Sequence, residues 1–322
     1  DEPVGGGDDV QVVLDHHQGM AGGQQFLEGP QQAGHVLEVQ AGGGLVEEEQ
    51  GGALGLALLA GQLPADAALE LTPADPALEL RGVTVAYRDR LAVREVDLRI
   101  EAGERLALIG PNGAGKSTVL GALTGLLAPT VGTAWLDGRS LSLLDRSDVA
   151  RRVAVVPGSA SLPFSMRVEE VVGLGRIPHE DPFRGARPAD RQAVAAAIER
   201  VGVGHLVGRD ARELSLGERQ LVLIATAVAQ AAPILVLDEP TVHLDLRHQV
   251  GAMELLADLN ERDGVTIIAV LHDLGLAAHF FPRLVLLEGG RVIGDGPSAE
   301  VLAPSRIRDV FGVDPDLVRL PV

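Results

Sequence analysis

The segment that most constrains the fold of this chain is Gly110-Pro-Asn-Gly-Ala-Gly-Lys-Ser-Thr118. It matches the phosphate-loop pattern, GxxxxGK followed by Ser or Thr, in which glycines allow successive backbone N–H groups to curl around a β-phosphate. The helix that follows such a loop offers its positive N-terminal end to the same anion. The segment therefore predicts a strand, a glycine-rich turn and a helix in succession, arranged to bind the phosphates of a nucleotide.

The side chains of this loop have separate expected tasks. Lys116 is expected to bridge the β- and γ-phosphates of ATP, and Ser117 to ligate Mg²⁺. The chain has 27 Lys and Arg residues, of which Lys116 is the single lysine. A sequence that otherwise uses arginine thus keeps a compact ammonium where a point charge has to fit inside the loop. The other predicted phosphate-binding residues are Gly110, Asn112, Gly113, Gly115 and Thr118.

Apolar runs on both sides of the loop predict the surrounding core. Residues 106–109, 234–237 and 266–270 are unbroken apolar runs, which suit parallel strands covered on both faces. We therefore expect an α/β fold with a P-loop NTPase core, in which a mostly parallel sheet is flanked by helices. The helix after the loop is expected to bury one apolar face, formed by Val119, Leu120, Leu123, Leu126 and Leu127.

A second motif lies at residues 234–241, where the apolar run ends in Asp238 and Glu239. At the carboxyl end of a strand, Asp238 is placed to hold Mg²⁺ through water, and Glu239 to polarise the attacking water as a general base. An isolated Asp-Glu pair is more typical of a helix start. Together with the phosphate loop, the pair predicts the catalytic and metal-binding end of an ATPase site.

Composition separates residues 1–75 from the rest of the chain. The formal net charge is −18, yet residues 1–80 contain no Lys or Arg and 14 of the 45 acidic residues. Residues 1–75 are also rich in Gly and Gln, so we expect a disordered or loosely helical extension, or an over-extended gene model. Residues 76–322 are expected to form the nucleotide-binding domain. Neither part has the basic charge typical of nucleic-acid binding.

Further segments, taken with the two motifs, resemble the ATP-binding-cassette (ABC) ATPases. Leu214-Ser-Leu-Gly-Glu218 resembles the LSGGQ signature of that family, and it ends 20 residues before Asp238, as in the family. Val242-His-Leu-Asp245 resembles the D-loop. His272 resembles the switch histidine, a catalytic residue, and Tyr87 resembles the aromatic residue that stacks on adenine.

The resemblance implies both architecture and partners. It implies an N-terminal antiparallel β portion and a helical signature subdomain at about residues 159–230. It also implies a head-to-tail homodimer in which ATP is held by the phosphate loop of one chain and by Ser215, Gly217 and Glu218 of the other, with the D-loop Asp245 beside them. Such ATPases lie at the cytoplasmic face of the cell membrane, bound to transmembrane permease subunits and working indirectly with a substrate-binding protein.

Two positions depart from the family pattern. The Q-loop glutamine, expected after residues 153–157, is Gly158 here, and the next glutamine is Gln192. Because that glutamine contacts Mg²⁺ and water and reports the nucleotide state to the membrane subunit, its absence puts coupling in question. Leu216 replaces the first glycine of the signature, and it would be strained if the backbone there had a positive φ.

Several segments resemble most closely the ATPases that import iron-siderophore, haem and cobalamin chelates. We therefore expect a metal-chelate importer, without a choice among the chelates. Two alternatives stay open, namely a non-transport ATPase built on the same cassette and a catalytically weakened regulatory subunit. The long coiled coil or second cassette of the non-transport types is absent from the sequence. The resembling segments are residues 171–179, 244–249, 271–278, 301–304 and 310–313.

Overall fold

The computed structural model describes residues 75–88, 90–158, 165–180, 185–242 and 244–314. Within these residues the strands form two sheets, one of six strands and one of four. The prediction made for residues 1–75 falls, apart from Asp75, outside the described residues.

The larger sheet is the predicted P-loop NTPase core. In spatial order its strands are β10 (Arg291–Gly296), β9 (Arg283–Glu288), β3 (Arg105–Ile109), β8 (Thr266–Val270), β7 (Ile234–Asp238) and β6 (Val153–Val156). Neighbouring strands are parallel, except that β10 and β9 pair antiparallel at one edge. The three apolar runs singled out in the sequence are thus β3, β7 and β8, adjacent in the middle of the sheet.

Alternate residues of these central strands enter two different cores. On one face Leu108 and Val236 pack in a cluster with the helix α1 (Lys116–Leu123) and with the smaller sheet. On the other face Ile109 packs in a cluster with the helix α6 (Leu246–Asp263). Because both faces of the sheet are covered, the residues that face either side are buried and therefore apolar. This explains the unbroken apolar runs in the sequence.

The smaller sheet is entirely antiparallel and covers the phosphate-loop side of the core. In spatial order its strands are β2 (Arg90–Ile100), β1 (Leu78–Tyr87), β4 (Val131–Leu136) and β5 (Arg139–Ser140). It supplies buried residues such as Leu80, Val93 and Ile100 to the cluster that contains α1. This sheet is the expected N-terminal antiparallel β portion.

The helix α1 ends earlier than the sequence predicts. The Thr124 hydroxyl donates to the carbonyl oxygen of Leu120 at 2.8 Å, and Gly125 takes a left-handed φ of +70°. The chain therefore leaves the helical path before Leu126, which is 74% exposed. Leu127 still packs partly against the core. The expectation that Leu126 belongs to the buried face was wrong, because this turn breaks the helical period.

Helices between β6 and β7 share a core of their own. They are α3 (Val168–Gly173), α4 (Pro188–Val201) and α5 (Leu216–Gln230), and residues such as Val171, Ile198 and Val222 pack together between them. The other α-helices of the described residues are α2 (Arg146–Arg152), α7 (Leu274–Phe280), α8 (Ser298–Val301) and α9 (Pro304–Phe311). Among the described residues, none of the helices combines the length and apolar character that a membrane crossing requires.

Candidate nucleotide-binding site

The phosphate loop, residues 110–118, connects β3 to α1 as the sequence predicts. Gly110 and Gly115 have φ angles of +144° and +102°. A Cβ on Gly110 would lie 2.1 Å from the carbonyl oxygen of Leu287, and one on Gly115 would lie 2.6 Å from that of Ala92. Both positions therefore require glycine, by conformation and by space, and the loop is held closely against β9 and β2.

The Lys116 side chain lies inside the loop, with only 6% of the residue exposed. Its ammonium donates to the carbonyl oxygens of Gly110 at 2.8 Å and Pro111 at 3.0 Å. Burial lowers the pKa of Lys116, while the charges of Glu239 and Asp238 oppose this shift. A phosphate entering the loop would meet a partly desolvated cation that is already in place, and it would stabilise the charged form.

Asp238 ends β7 beside the first turn of α1. The Ser117 hydroxyl lies near its carboxylate. Burial is the main cause that raises the pKa of Asp238, and the neighbouring Glu239 adds to it, whereas the Ser117 hydroxyl and the Lys116 charge act in the opposite direction. The Oδ1 atom of Asp238 is buried and has no hydrogen-bond partner among the described residues. An unpaired buried carboxylate oxygen next to a hydroxyl fits a hard divalent cation.

Glu239 and His272 meet where two neighbouring strands end. The His272 Nε2 atom is 2.5 Å from Glu239 Oε1. The Glu239 backbone has a φ of +52°, which is uncommon outside glycine, and its N–H donates to the carbonyl oxygen of Val270 at 3.2 Å. The turn that places the carboxylate at the site is therefore tied to the end of β8. The two residues predicted to be catalytic are in direct contact.

A cavity of about 400 Å³ brings most of the predicted residues together. Tyr87, which is 50% exposed, lies at this cavity. Arg90 and Ala92 also line it, and the sequence reasoning missed both. No local sequence signal pointed to Arg90, because its approach to the phosphate loop brings together segments that are remote in sequence. The predicted residues in the lining are Tyr87, Asn112, Gly113, Gly115, Lys116, Ser117, Thr118, Glu239 and His272.

The signature residues lie at a different cavity, of about 530 Å³, which is lined by Ser215, Gly217, Glu218 and Asp245. The Ser215 hydroxyl accepts a hydrogen bond from the Glu218 N–H at 3.2 Å, and the Glu218 carboxylate accepts one from the Ser215 N–H at 2.8 Å. This reciprocal pair is a capping box at the start of α5. The described chain thus does not bring the signature and the phosphate loop into one cavity.

The same surface includes Asp245 and Leu216. Asp245 caps α6, because its carboxylate accepts hydrogen bonds from the His248 N–H at 2.9 Å and pairs with His248 Nδ1 at 2.8 Å. Leu216 is the first residue of α5, is 56% exposed and is not among the described residues with a positive φ. The strain considered for Leu216 is therefore absent. His243 of the D-loop segment lies outside the described residues.

Gly158 lies directly beside the acidic pair. A Cβ on Gly158 would be 3.0 Å from the carbonyl oxygen of Asp238 and 3.7 Å from the Cβ of Glu239. No glutamine is among the residues that line the described phosphate-loop cavity. The position of the missing Q-loop glutamine is thus next to the predicted metal and water site, although residues 159–164 lie outside the described part.

Comparisons with known proteins agree with this geometry. The family model described as ABC transporter matches residues 93–242. The iron(3+)-hydroxamate import ATP-binding protein FhuC of Bacillus subtilis is 37% identical over 237 residues, which cover 74% of this chain and 88% of that protein. The hemin import ATP-binding protein HmuV of Pseudomonas fluorescens is 43% identical over 230 residues, which cover 70% and 88%. The chain therefore belongs to the ABC transporter family.

Other relatives and solved structures agree on the class. The cobalamin import ATP-binding protein BtuD of Halobacterium salinarum is 41% identical, but the match covers only 60% of that protein. A structure described as a metal-chelate type ABC transporter in an inward-facing conformation is 27% identical, with a TM-score of 0.65 and coverage of 74% of this chain and 90% of that one. A dimeric cassette with ADP and Pi bound is 29% identical, with a TM-score of 0.62 and coverage of 69% and 98%. Within its family, this protein is an ATP-binding subunit with ATPase activity.

Proposed function

We propose that this chain hydrolyses ATP to power the import of a metal chelate, of the iron-siderophore, haem or cobalamin kind. The observation that carries the proposal is the likeness of nearly the whole cassette to importer subunits for hydroxamate-bound iron and for hemin, at 37% and 43% identity. The protein would lie at the cytoplasmic face of the membrane through permease subunits, which in turn receive cargo from a substrate-binding protein.

The hydrolytic step is assigned to residues that meet at the phosphate-loop cavity. Lys116 and the backbone N–H groups of the loop bind the β- and γ-phosphates, and Tyr87 stacks on the adenine. Glu239 accepts the proton of the attacking water as it approaches the γ-phosphate, so that a hydroxide equivalent attacks phosphorus while ADP leaves. His272 holds the Glu239 carboxylate at 2.5 Å and so fixes the direction from which water is polarised.

Mg²⁺ is the divalent cation that this site fits. The unpaired, buried Oδ1 of Asp238 and the adjacent Ser117 hydroxyl supply the oxygen donors that Mg²⁺ prefers. When bound, the ion would neutralise charge on the β- and γ-phosphate oxygens. Ser117 would ligate it directly and Asp238 through water. The bound ion would thereby offset the free-energy cost of burying the Asp238 carboxylate without a partner.

A head-to-tail homodimer would complete each nucleotide site. In one chain the phosphate loop would leave the outer side of the γ-phosphate uncovered, because Ser215 and Gly217 line a separate cavity. The start of α5 carries the positive end of the helix dipole, and Ser215 caps that start. Two chains docked in opposite directions would place this surface, with Glu218 and the D-loop Asp245, over the ATP of the partner.

The transport proposal is tested by reconstituting the protein in lipid vesicles with the permease subunits of a metal-chelate importer. Proteoliposomes containing ATP should take up one of three chelates, a ferric hydroxamate, haem or cobalamin, when its binding protein is supplied. The same vesicles made with Glu239→Gln should bind ATP and fail to transport. ATP-driven export of the chelate, or uptake unaffected by Glu239→Gln, would contradict the proposal.

A further inference from the structure

Arg90 belongs to the nucleotide cavity although no recognised motif contains it. It begins β2 and lies directly opposite Tyr87 in the register of β1 and β2. Residues directly opposite one another in an antiparallel pair carry their side chains on the same face of the sheet. Both side chains line the cavity of about 400 Å³ that contains the phosphate loop.

The guanidinium of Arg90 reaches from the Tyr87 side to the phosphate loop. Its Nη2 atom stands 3.7 Å from the point that a Cβ on Gly113 would occupy. Lys116, by contrast, lies within the loop, bonded to the carbonyl oxygens of Gly110 and Pro111. The two cations therefore approach the loop from different sides, one from inside the loop and one from the hairpin.

Arg90 is also free to bind an anion. Within the described ranges its side chain is exposed and has neither a hydrogen bond nor an ion pair with the protein. Its strand is nevertheless fixed to the loop region, because the Arg94 N–H donates to the Gly290 carbonyl at 2.8 Å and the Gly290 N–H donates to that of Ala114 at 3.1 Å. A guanidinium that has no partner among the described residues and is carried on a fixed strand beside a phosphate-binding loop suits a phosphate.

We infer that Arg90 is a nucleotide-binding residue, whose guanidinium binds the α- and β-phosphates that ATP and ADP share. This inference rests on the nucleotide site proposed above. With adenine on Tyr87 and the terminal phosphate on Lys116, the phosphates nearest the ribose pass the position opposite Tyr87. Arg90 would then hold the nucleotide both before and after hydrolysis, and it would not discriminate between the two states.

The test is titration calorimetry of the full chain with Mg-ATP and with Mg-ADP. Arg90→Ala should weaken both by the same factor, roughly three- to tenfold, the size of one exposed charge-assisted contact. Arg90→Lys should recover part of the loss, because it keeps the charge but not the planar fork. The difference between Arg90→Ala and the parent should shrink at high ionic strength, since exposed charges are screened.

Two control variants make the result decisive. Arg94→Ala removes an exposed arginine from the same strand, at a position outside the cavity lining. Lys116→Ala tests the nucleotide site itself in the same titration. If Lys116→Ala loses binding while Arg90→Ala binds both nucleotides as tightly as Arg94→Ala does, the site stands and the role of Arg90 is refuted. A loss for ATP alone would place Arg90 at the γ-phosphate and would also overturn the inference.

Discussion

The phosphate-loop cavity and the signature cavity of this chain differ in how their polar groups are paired. The first is lined by Lys116, which is only 6% exposed, and beside its lining the Oδ1 atom of Asp238 is buried and has no partner among the described residues. In the second, Ser215 and Glu218 satisfy one another, and Asp245 pairs with His248. Unpaired buried groups are costly unless a ligand completes them. A ligand is therefore needed to complete the polar groups at the first cavity. The polar groups at the second are already paired within the chain, which suits a surface that covers a ligand bound elsewhere.

The largest expected effect comes from removing the base at the first cavity. Glu239→Gln should keep ATP and Mg²⁺ bound while hydrolysis falls roughly 10²- to 10⁴-fold, the usual contribution of a general base. Because ATP then persists, an ATP-dependent dimer should accumulate on gel filtration. Glu254→Gln, an exposed change on α6, is the matched control. Turnover equal to that of the control would place the base on another residue.

The second prediction separates the two cavities by what each binds. Lys116→Ala should weaken ATP binding to the isolated chain by about 10- to 100-fold, the range for a hydrogen bond to a charged group. Ser215→Gly should leave that affinity within about twofold and preserve the helix start, since glycine is a tolerable N-cap. Its hydrolysis should still fall by about tenfold, because the γ-phosphate of the partner chain loses a donor. Equal loss of ATP affinity in both variants would show that the comparison is wrong.

The local patterns of the sequence predicted the strands, loop and helix that surround the first cavity. Strand, loop and helix around Lys116, and the acids that end β7, are encoded within short segments, and the structure has them there. The helical conformation of Leu216 also agrees with a local pattern, because Ser215 and Glu218 have the spacing of a capping box, which marks the start of a helix. As the first residue of that helix, Leu216 needs no positive φ.

Other features depend on contacts between distant segments. The approach of β2 to the loop, which brings Arg90 into the cavity, joins residues remote in sequence, and no local pattern reports it. The close approach of Gly158 to Asp238, where a Cβ would lie 3.0 Å from the carbonyl oxygen, likewise depends on a contact between distant segments. The exposure of Leu126 was missed for a local reason, because the helical period was extended through the Thr124-Gly125 turn.

Gly158 provides a smaller test at the edge of the first cavity. Gly158→Gln should raise ATP hydrolysis several-fold, the order of effect for one recovered contact in a positioned active site. It should also strengthen stimulation by the permease. Gly158→Ala is the control, because it adds the Cβ that crowds the Asp238 carbonyl but no amide. Steady-state rates for Gly158→Gln that equal or fall below those of Gly158→Ala would mean that the side chain does not reach the site.

The smallest expected effect is on the stability of the nucleotide-free protein, where the two cavities should respond with opposite sign. Asp238→Asn removes a buried charge whose Oδ1 has no described partner, so it should stabilise the free chain by about 1 kcal/mol. Asp245→Asn removes a charge that caps α6 and pairs with His248, so it should lower stability. Mg-ATP should reverse the first result, because the parent then gains a cation that the variant cannot hold.

The two carboxylates should also contribute to stability with opposite sign as the pH changes. The pKa of Asp238 is raised, chiefly by burial, so its cost to the free protein is absent below the unfolded pKa, grows as the pH rises above that value and is fully present above the raised pKa. The pKa of Asp245 is lowered, chiefly by the His248 N–H, so its contribution is present above the unfolded value and lost as the pH falls. Thermal melts of the two Asn variants and the parent, from acid to neutral pH without nucleotide, should show the Asp238→Asn advantage growing with pH and the Asp245→Asn deficit growing beside it. If both variants shift the melting temperature in the same direction at neutral pH, the two cavities do not differ in the way that their hydrogen bonds indicate.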